Sequence, residues 1–161
     1  MISSEHDLSP GSKQYKWLEA DLMSIDRSLT PWVILEAHRP MYMIEDVAQN
    51  TLVGIHMKKN FEGLLKRFHV DLYLAGHYHA YFRSCVGLFE GKCNNNGLTH
   101  ITIGTAGAAL DSGPLLRKPW SEFYSSEWGY GRITVENSTA LFFEFVSDQD
   151  GSTKDSMWLL K

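Results

Sequence analysis

Two short apolar runs, each stopping at a histidine, constrain this sequence most. Trp32-Val33-Ile34-Leu35 leads into Ala37-His38-Arg39-Pro40, and Val70-Asp71-Leu72-Tyr73-Leu74-Ala75 breaks at Gly76-His77-Tyr78-His79. Runs of this length without regular alternation suit strands covered on both faces of a sheet. Between them Phe61, Leu64, Leu65 and Phe68 recur at i, i+3, i+4 and i+7, the spacing of an amphipathic helix. Strand, helix and strand in that order predict a parallel βαβ unit with a right-handed crossover. Both strands then end at one edge of the sheet, and the histidines lie there with them.

The remaining pattern extends this frame. Ser9-Pro10-Gly11-Ser12 caps a helix predicted over 10–24, with Tyr15, Leu18, Leu22 and Ile25 at helical spacing. Residues 41–51, which include Glu45 and Asp46, read as irregular. The stretch 98–109 is strand-like and glycine-rich, and strands at 133–135 and 141–146 flank a hairpin turn at Asn137-Ser138-Thr139. A turn at Asp148-Gln149-Asp150-Gly151 precedes a last strand at 157–160, so the carboxyl-terminal third reads as antiparallel sheet. With 161 residues and 43% apolar side chains, the chain has the size and composition of one domain with a real core. A formal charge of -4 and no long apolar run argue against nucleic acid and membranes as partners.

Ligands of open α/β sheets bind outside the carboxyl ends of the strands. His38, His77 and His79 fall there, and neutral imidazole is a good ligand for zinc, iron and manganese. These three are the candidate metal ligands, with Gly76 expected to free the backbone for the turn and the two rings of His77-Tyr78-His79 expected on one face. His56, His69 and His100 read as exposed or hydrogen-bonded structural residues. No catalytic residue is assigned. Arg39 is a candidate phosphate donor or a partner for Glu36 or Glu45, His6 reads as a capping or surface residue, and Tyr130 as a packed aromatic.

Several of these residues also carry a resemblance. Gly76-His77-Tyr78-His79-Ala80-Tyr81 resembles the GHxHAY signature of the purple acid phosphatases, within the calcineurin-like metallophosphoesterases. The segment ending in His38-Arg39-Pro40-Met41-Tyr42, the preceding helix from Gln14 to Leu22, and Gly129-Tyr130-Gly131-Arg132 are similar to that family as well. The likeness spans essentially the whole sequence. It implies an αββα sandwich whose carboxyl-terminal half is present, divided into core (1–84), a loop (85–97) and a terminal subdomain (98–161). It also implies hydrolysis of phosphate monoesters, of the acid phosphatase kind, at a binuclear centre of iron plus zinc, manganese or a second iron. His38 and His77 match ligands of the divalent ion, and His79 a ligand of the ferric one.

The family's GDxxY and GNHE motifs, which supply carboxylate, tyrosine and asparagine ligands, do not occur here. Met43-Ile44-Glu45-Asp46-Val47-Ala48 also lacks the histidines that help several relatives bind substrate. The sequence is therefore expected to need a missing amino-terminal half, or another chain, to complete the centre. The alternative is a non-catalytic half-domain or scaffold holding at most one ion. Cys85 and Cys93 either close a short disulfide loop or remain free thiols, and Asn137-Ser138-Thr139 is a glycosylation sequon. Both features suit a secreted, vacuolar or lysosomal protein, although the first residues carry no signal peptide.

Overall fold

Ser12 starts the first helix: its hydroxyl accepts the Tyr15 N–H at 3.1 Å, and α1 (Lys13–Ser24) buries Leu18 and Leu22. Pro10 and Gly11 form the turn ahead of this cap rather than the first helical turn, with Gly11 at φ 92°. The computed structural model describes residues 1–45, 48–93, 97–111, 113 and 115–161; Asp46 and Val47, like residues 94–96 of the loop, lie outside them.

Parallel pairing joins β1 (Ile34–Ala37) to the strand that follows the second helix. That helix, α2 (Ala48–Arg67), begins well before Phe61, so residues 48–51 are helical rather than irregular. Val53 and Met57 carry the same apolar stripe upstream, and Met57, Phe61 and Leu65 are fully buried. The helix stops at His69, whose φ of 51° reverses the chain while Val70 N–H bonds Leu65 O and His69 N–H bonds Lys66 O. This Schellman pattern gives His69 a structural role. β1 starts two residues later than its apolar run, because Val33 is held by Asp71, whose carboxylate accepts Val33 N–H at 2.7 Å. β1 also alternates, with Leu35 and Ala37 buried and Glu36 exposed.

After β1, the chain contributes β2 (Leu72–Ala75), β3 (Tyr81–Ser84), a small hairpin of β4 (Leu88–Phe89) and β5 (Lys92–Cys93), β6 (Thr99–Ile103) and β7 (Ser121–Ser125). The main sheet runs β1-β2-β6-β3-β7, with β1, β2 and β6 parallel, β3 antiparallel to β6, and β7 antiparallel to β3. The carboxyl-terminal third is thus not wholly antiparallel: β6 lies beside β2 in parallel, centred in the first sheet. A second, antiparallel sheet of β8 (Gly129–Val135), β9 (Ala140–Ser147) and β10 (Thr153–Leu160) follows, and its first hairpin turns at residues 137–139.

Three layers result. Tyr73, Ala75 and Phe82 face the helices, while Leu72, Tyr81 and Ile101 face Leu141, Phe143, Phe145 and Met157 of the second sheet. Between the sheets Arg83 grips Asp155 through Nε at 2.6 Å and Nη2 at 2.9 Å, and Tyr81 Oη donates to the same carboxylate at 2.6 Å. The Cys85–Cys93 disulfide is formed and closes the β4–β5 hairpin onto the end of β3. No helix among the described residues is long and apolar enough to cross a membrane.

Candidate metal centre

The parallel strands deliver their histidines to one rim. Gly76 N–H donates to His38 O at 3.1 Å, continuing the β1–β2 pairing past both strand ends. The chain then reverses in a three-residue turn closed by Tyr78 N–H to Gly76 O at 2.8 Å. His77, not Gly76, carries the strained backbone, with φ 69°. A Cβ on Gly76 would meet only ordinary contacts, so the glycine is not what permits the turn. Gly104, at the end of β6, is required instead: a Cβ there would lie 1.6 Å from Tyr78 O. That close approach sets the histidine turn against the end of β6. The turn also means that His77 and His79 do not project from an extended strand.

His38, His77 and His79 line one cleft of about 660 Å³ together with Glu45 and Asp111. His77 Nδ1 lies 3.0 Å from His38 Nε2, and the two rings meet edge to face with centroids 4.9 Å apart. Two nitrogens bound to one zinc at about 2.0–2.1 Å, subtending about 90–110°, lie about 2.9–3.4 Å apart. The pair fits two positions around one ion. Arg39 has no acceptor, so its Nη1 donates to His77 Nε2 at 2.9 Å and the network assigns the His77 ring proton to Nδ1. An ion replaces that proton on binding. Burial, with Arg39 and His38 close by, holds His77 below the usual imidazole range.

His79 joins the rim differently. Its Nδ1 meets Ala109 O at 2.8 Å, which fixes the proton there and leaves the ring lone pair on Nε2, the nitrogen that could hold an ion. Its backbone N–H donates to Asp111 Oδ2 at 2.7 Å, and Asp111 N–H returns a bond to His79 O at 3.0 Å. Among the described residues no group of three or more His, Cys, Asp or Glu side chains is placed to hold an ion. The imidazoles could supply part of a coordination shell.

Arg39 pairs with Glu5 at 2.6 Å, not with Glu36 or Glu45. Tyr42 anchors the segment after His38: its hydroxyl donates to Glu62 and accepts Gly91 N–H. His6 bonds Ser3 and His56 bonds Asn60, both at the surface, as expected. His100 departs from expectation, being buried with neither ring nitrogen hydrogen-bonded. Its burial follows from its place on the central strand β6, between Tyr42 and Tyr73. Tyr130 is half exposed rather than packed, because it stands on the outer face of β8, opposite the glycines 129 and 131 that close on Phe145 and Phe143.

Glu45 and Asp111 escaped the sequence reading as site residues. Glu45 is 6% exposed, and burial first, then the charge of Asp111, push its carboxyl up to about 7. A second hollow of about 1190 Å³ lies at the amino ends of the strands, where Arg27 and Lys161 are already paired with Asp71.

Comparison with known proteins bears on the family and the fold. Residues 3–81 match the family described as calcineurin-like phosphoesterase, and residues 97–156 the family described as iron/zinc purple acid phosphatase-like protein C. Probable purple acid phosphatase 20 of Arabidopsis thaliana is 37% identical over 99% of this chain, which spans 38% of that protein. Probable inactive purple acid phosphatase 27 of the same plant is 29% identical over the whole chain, which spans 28% of it. The solved structure of purple acid phosphatase PPD1 from yellow lupin (Lupinus luteus) seeds superposes with a TM-score of 0.91, at 28% identity, over 99% of this chain and 30% of that one. The chain thus covers well under half the length of these relatives. It belongs to the purple acid phosphatase family of the calcineurin-like phosphoesterases, of which it matches a carboxyl-terminal part.

Proposed function

We propose that this chain provides the histidine side of a binuclear centre that hydrolyses phosphate monoesters. The observation that carries the reading is the convergence of His77 Nδ1 and His38 Nε2 at the ends of adjacent parallel strands. His38 and His77 hold the divalent ion and His79 the ferric one. Bound there, iron with zinc, manganese or a second iron supplies Lewis acidity toward the phosphoryl oxygen and a nucleophilic water near neutral pH. The chain's own residues orient the ligands: Ala109 O fixes the His79 tautomer, and Gly76 N–H ties the His38 backbone to the turn.

Three neutral imidazoles do not neutralise two adjacent cations. On this reading, anionic ligands beyond Glu45 and Asp111 of the cleft come from elsewhere in the protein or from another chain. Hydrolysis of 4-nitrophenyl phosphate by the full-length protein tests the reading. Metal-dependent turnover lost in His77→Ala supports it, and metal-independent or absent turnover refutes it.

A second reading, a non-catalytic half-domain with at most one ion, is favoured by relatives named inactive. Full-length protein that retains one ion per chain without turnover would support it. Export to the cell exterior or vacuole is part of the proposal, supported by the disulfide and by the exposed Asn137 sequon on its hairpin.

A further inference from the structure

We propose that Glu45 and Asp111 form the leaving-group subsite of the cleft and select phosphate esters whose alcohol carries a positively charged amine. The inference rests on the phosphate-ester reading and adds a substrate class to it.

Glu45 is more than nine-tenths buried, lines the cleft beside His79, and keeps its Oε1 without any hydrogen-bond partner. Leaving a buried carboxylate oxygen unmatched is costly, so a native site retains one only where something else meets it. Asp111 shares the cleft and is not free to turn away, since His79 clamps it through both backbone bonds. No ion pair among the described residues engages either carboxylate. Burial first, then the charge of Asp111 and a hydrogen bond with it, raise the Glu45 carboxyl. Tyr124 faces the same pair and is raised by burial first and then by both charges, so it adds no cation.

The neighbouring wall is small and uncharged, formed by Ala106, Ala108 and Gly113, which leaves room for an alkyl chain. An ammonium has three hydrogens to donate and no acceptor, matching two carboxylates that line one cleft. The pair also acts against competitors. An ester that brings only its anionic phosphate meets two like charges near the rim, and the amine removes that repulsion.

The test is calorimetry on the full-length, zinc-loaded protein at pH 8, with inorganic phosphate, ethyl phosphate and 2-aminoethyl phosphate as probes. The proposal predicts that 2-aminoethyl phosphate binds about tenfold tighter than ethyl phosphate, equivalent to about 1.4 kcal/mol, and that Glu45→Gln brings the ratio close to one. Should that variant fail to fold cooperatively, Asp111→Asn, which keeps an acceptor for His79 N–H, replaces it, and the wild-type ratio decides by itself. Equal affinity for the two esters, with inorganic phosphate bound, overturns this proposal alone. An extra zinc per chain that disappears in Glu45→Gln assigns the pair to a metal ion and also overturns it. No binding of any phosphate overturns the phosphate-ester reading and this inference with it.

Discussion

His77 Nδ1 faces His38 Nε2 at 3.0 Å from a turn in which His77 itself holds φ 69°. Backbone strain and the proposed ligand position therefore belong to one residue. Glycine adopts this conformation without the Cβ penalty, so His77→Gly should exceed His77→Ala in stability by about 1 kcal/mol while neither binds metal as the parent does. Urea unfolding of the two variants measures the difference, and equal midpoints would show that the turn is unstrained.

His100 predicts an acid limb. Burial, with the charge of Lys58, lowers its folded value to about 3, against an ordinary value near 6.5. Between these values the unfolded chain binds the proton and the folded chain does not. The stability is complete above pH 6.5 and falls as pH drops toward 3, by on the order of 4 kcal/mol. His100→Phe loses no hydrogen bond and keeps the ring contacts with Tyr42 and Tyr73. Its melting temperature should fall less steeply than the parent's between pH 6.5 and 4.

Glu45 acts in the opposite sense. Its folded value of about 7 exceeds the ordinary 4.5, so the folded chain binds the proton more tightly. Stability declines as pH rises from 4.5 to 7 and stays lower above. Glu45→Gln should therefore be more stable than the parent at pH 8 by about 2 kcal/mol, and equal to it at pH 4, once water in the cleft is allowed for. Parallel denaturation curves at the two pH values check this.

The Arg83–Asp155 pair ties the two sheets, with side chains 12% and 6% exposed. Asp155→Ala strands the guanidinium and the Tyr81 hydroxyl in the interlayer and should cost about 3–5 kcal/mol. Replacing both partners by apolar residues should cost less than Asp155→Ala alone. Chemical denaturation of the single and double variants separates the two outcomes.

The Cys85–Cys93 bridge spans eight positions. Closing so short a loop stabilises by about 2.5 kcal/mol through the unfolded chain. Cys85→Ser with Cys93→Ser should lower stability by that amount under non-reducing conditions, and dithiothreitol should do the same to the parent.

Much of the layout was legible because it is local. Tyr73 and Leu72 leave opposite faces of β2, and the lack of polar alternation there reports burial on both sides. β3 was not legible, since Arg83 and Ser84 make it polar and the carboxylate that pairs with Arg83, Asp155, lies 72 residues away. β6 reads as a strand, yet nothing in Thr99-His100-Ile101 says that it pairs in parallel with β2 on one side and antiparallel with β3 on the other. At the site, the histidines stood out through their place at strand ends. Glu45 and Asp111 carry no spacing signal, because tertiary packing alone brings them to the cleft. The turn was read into Gly76, the residue that usually carries such strain, while the chain placed it on His77.

Zinc titration of the full-length protein beside His38→Ala and His77→Ala tests the central claim most directly. The account predicts that each substitution weakens uptake at the divalent site about 100-fold or more, since each removes one of two converging nitrogens. Uptake by both variants equal to that of the parent would contradict it.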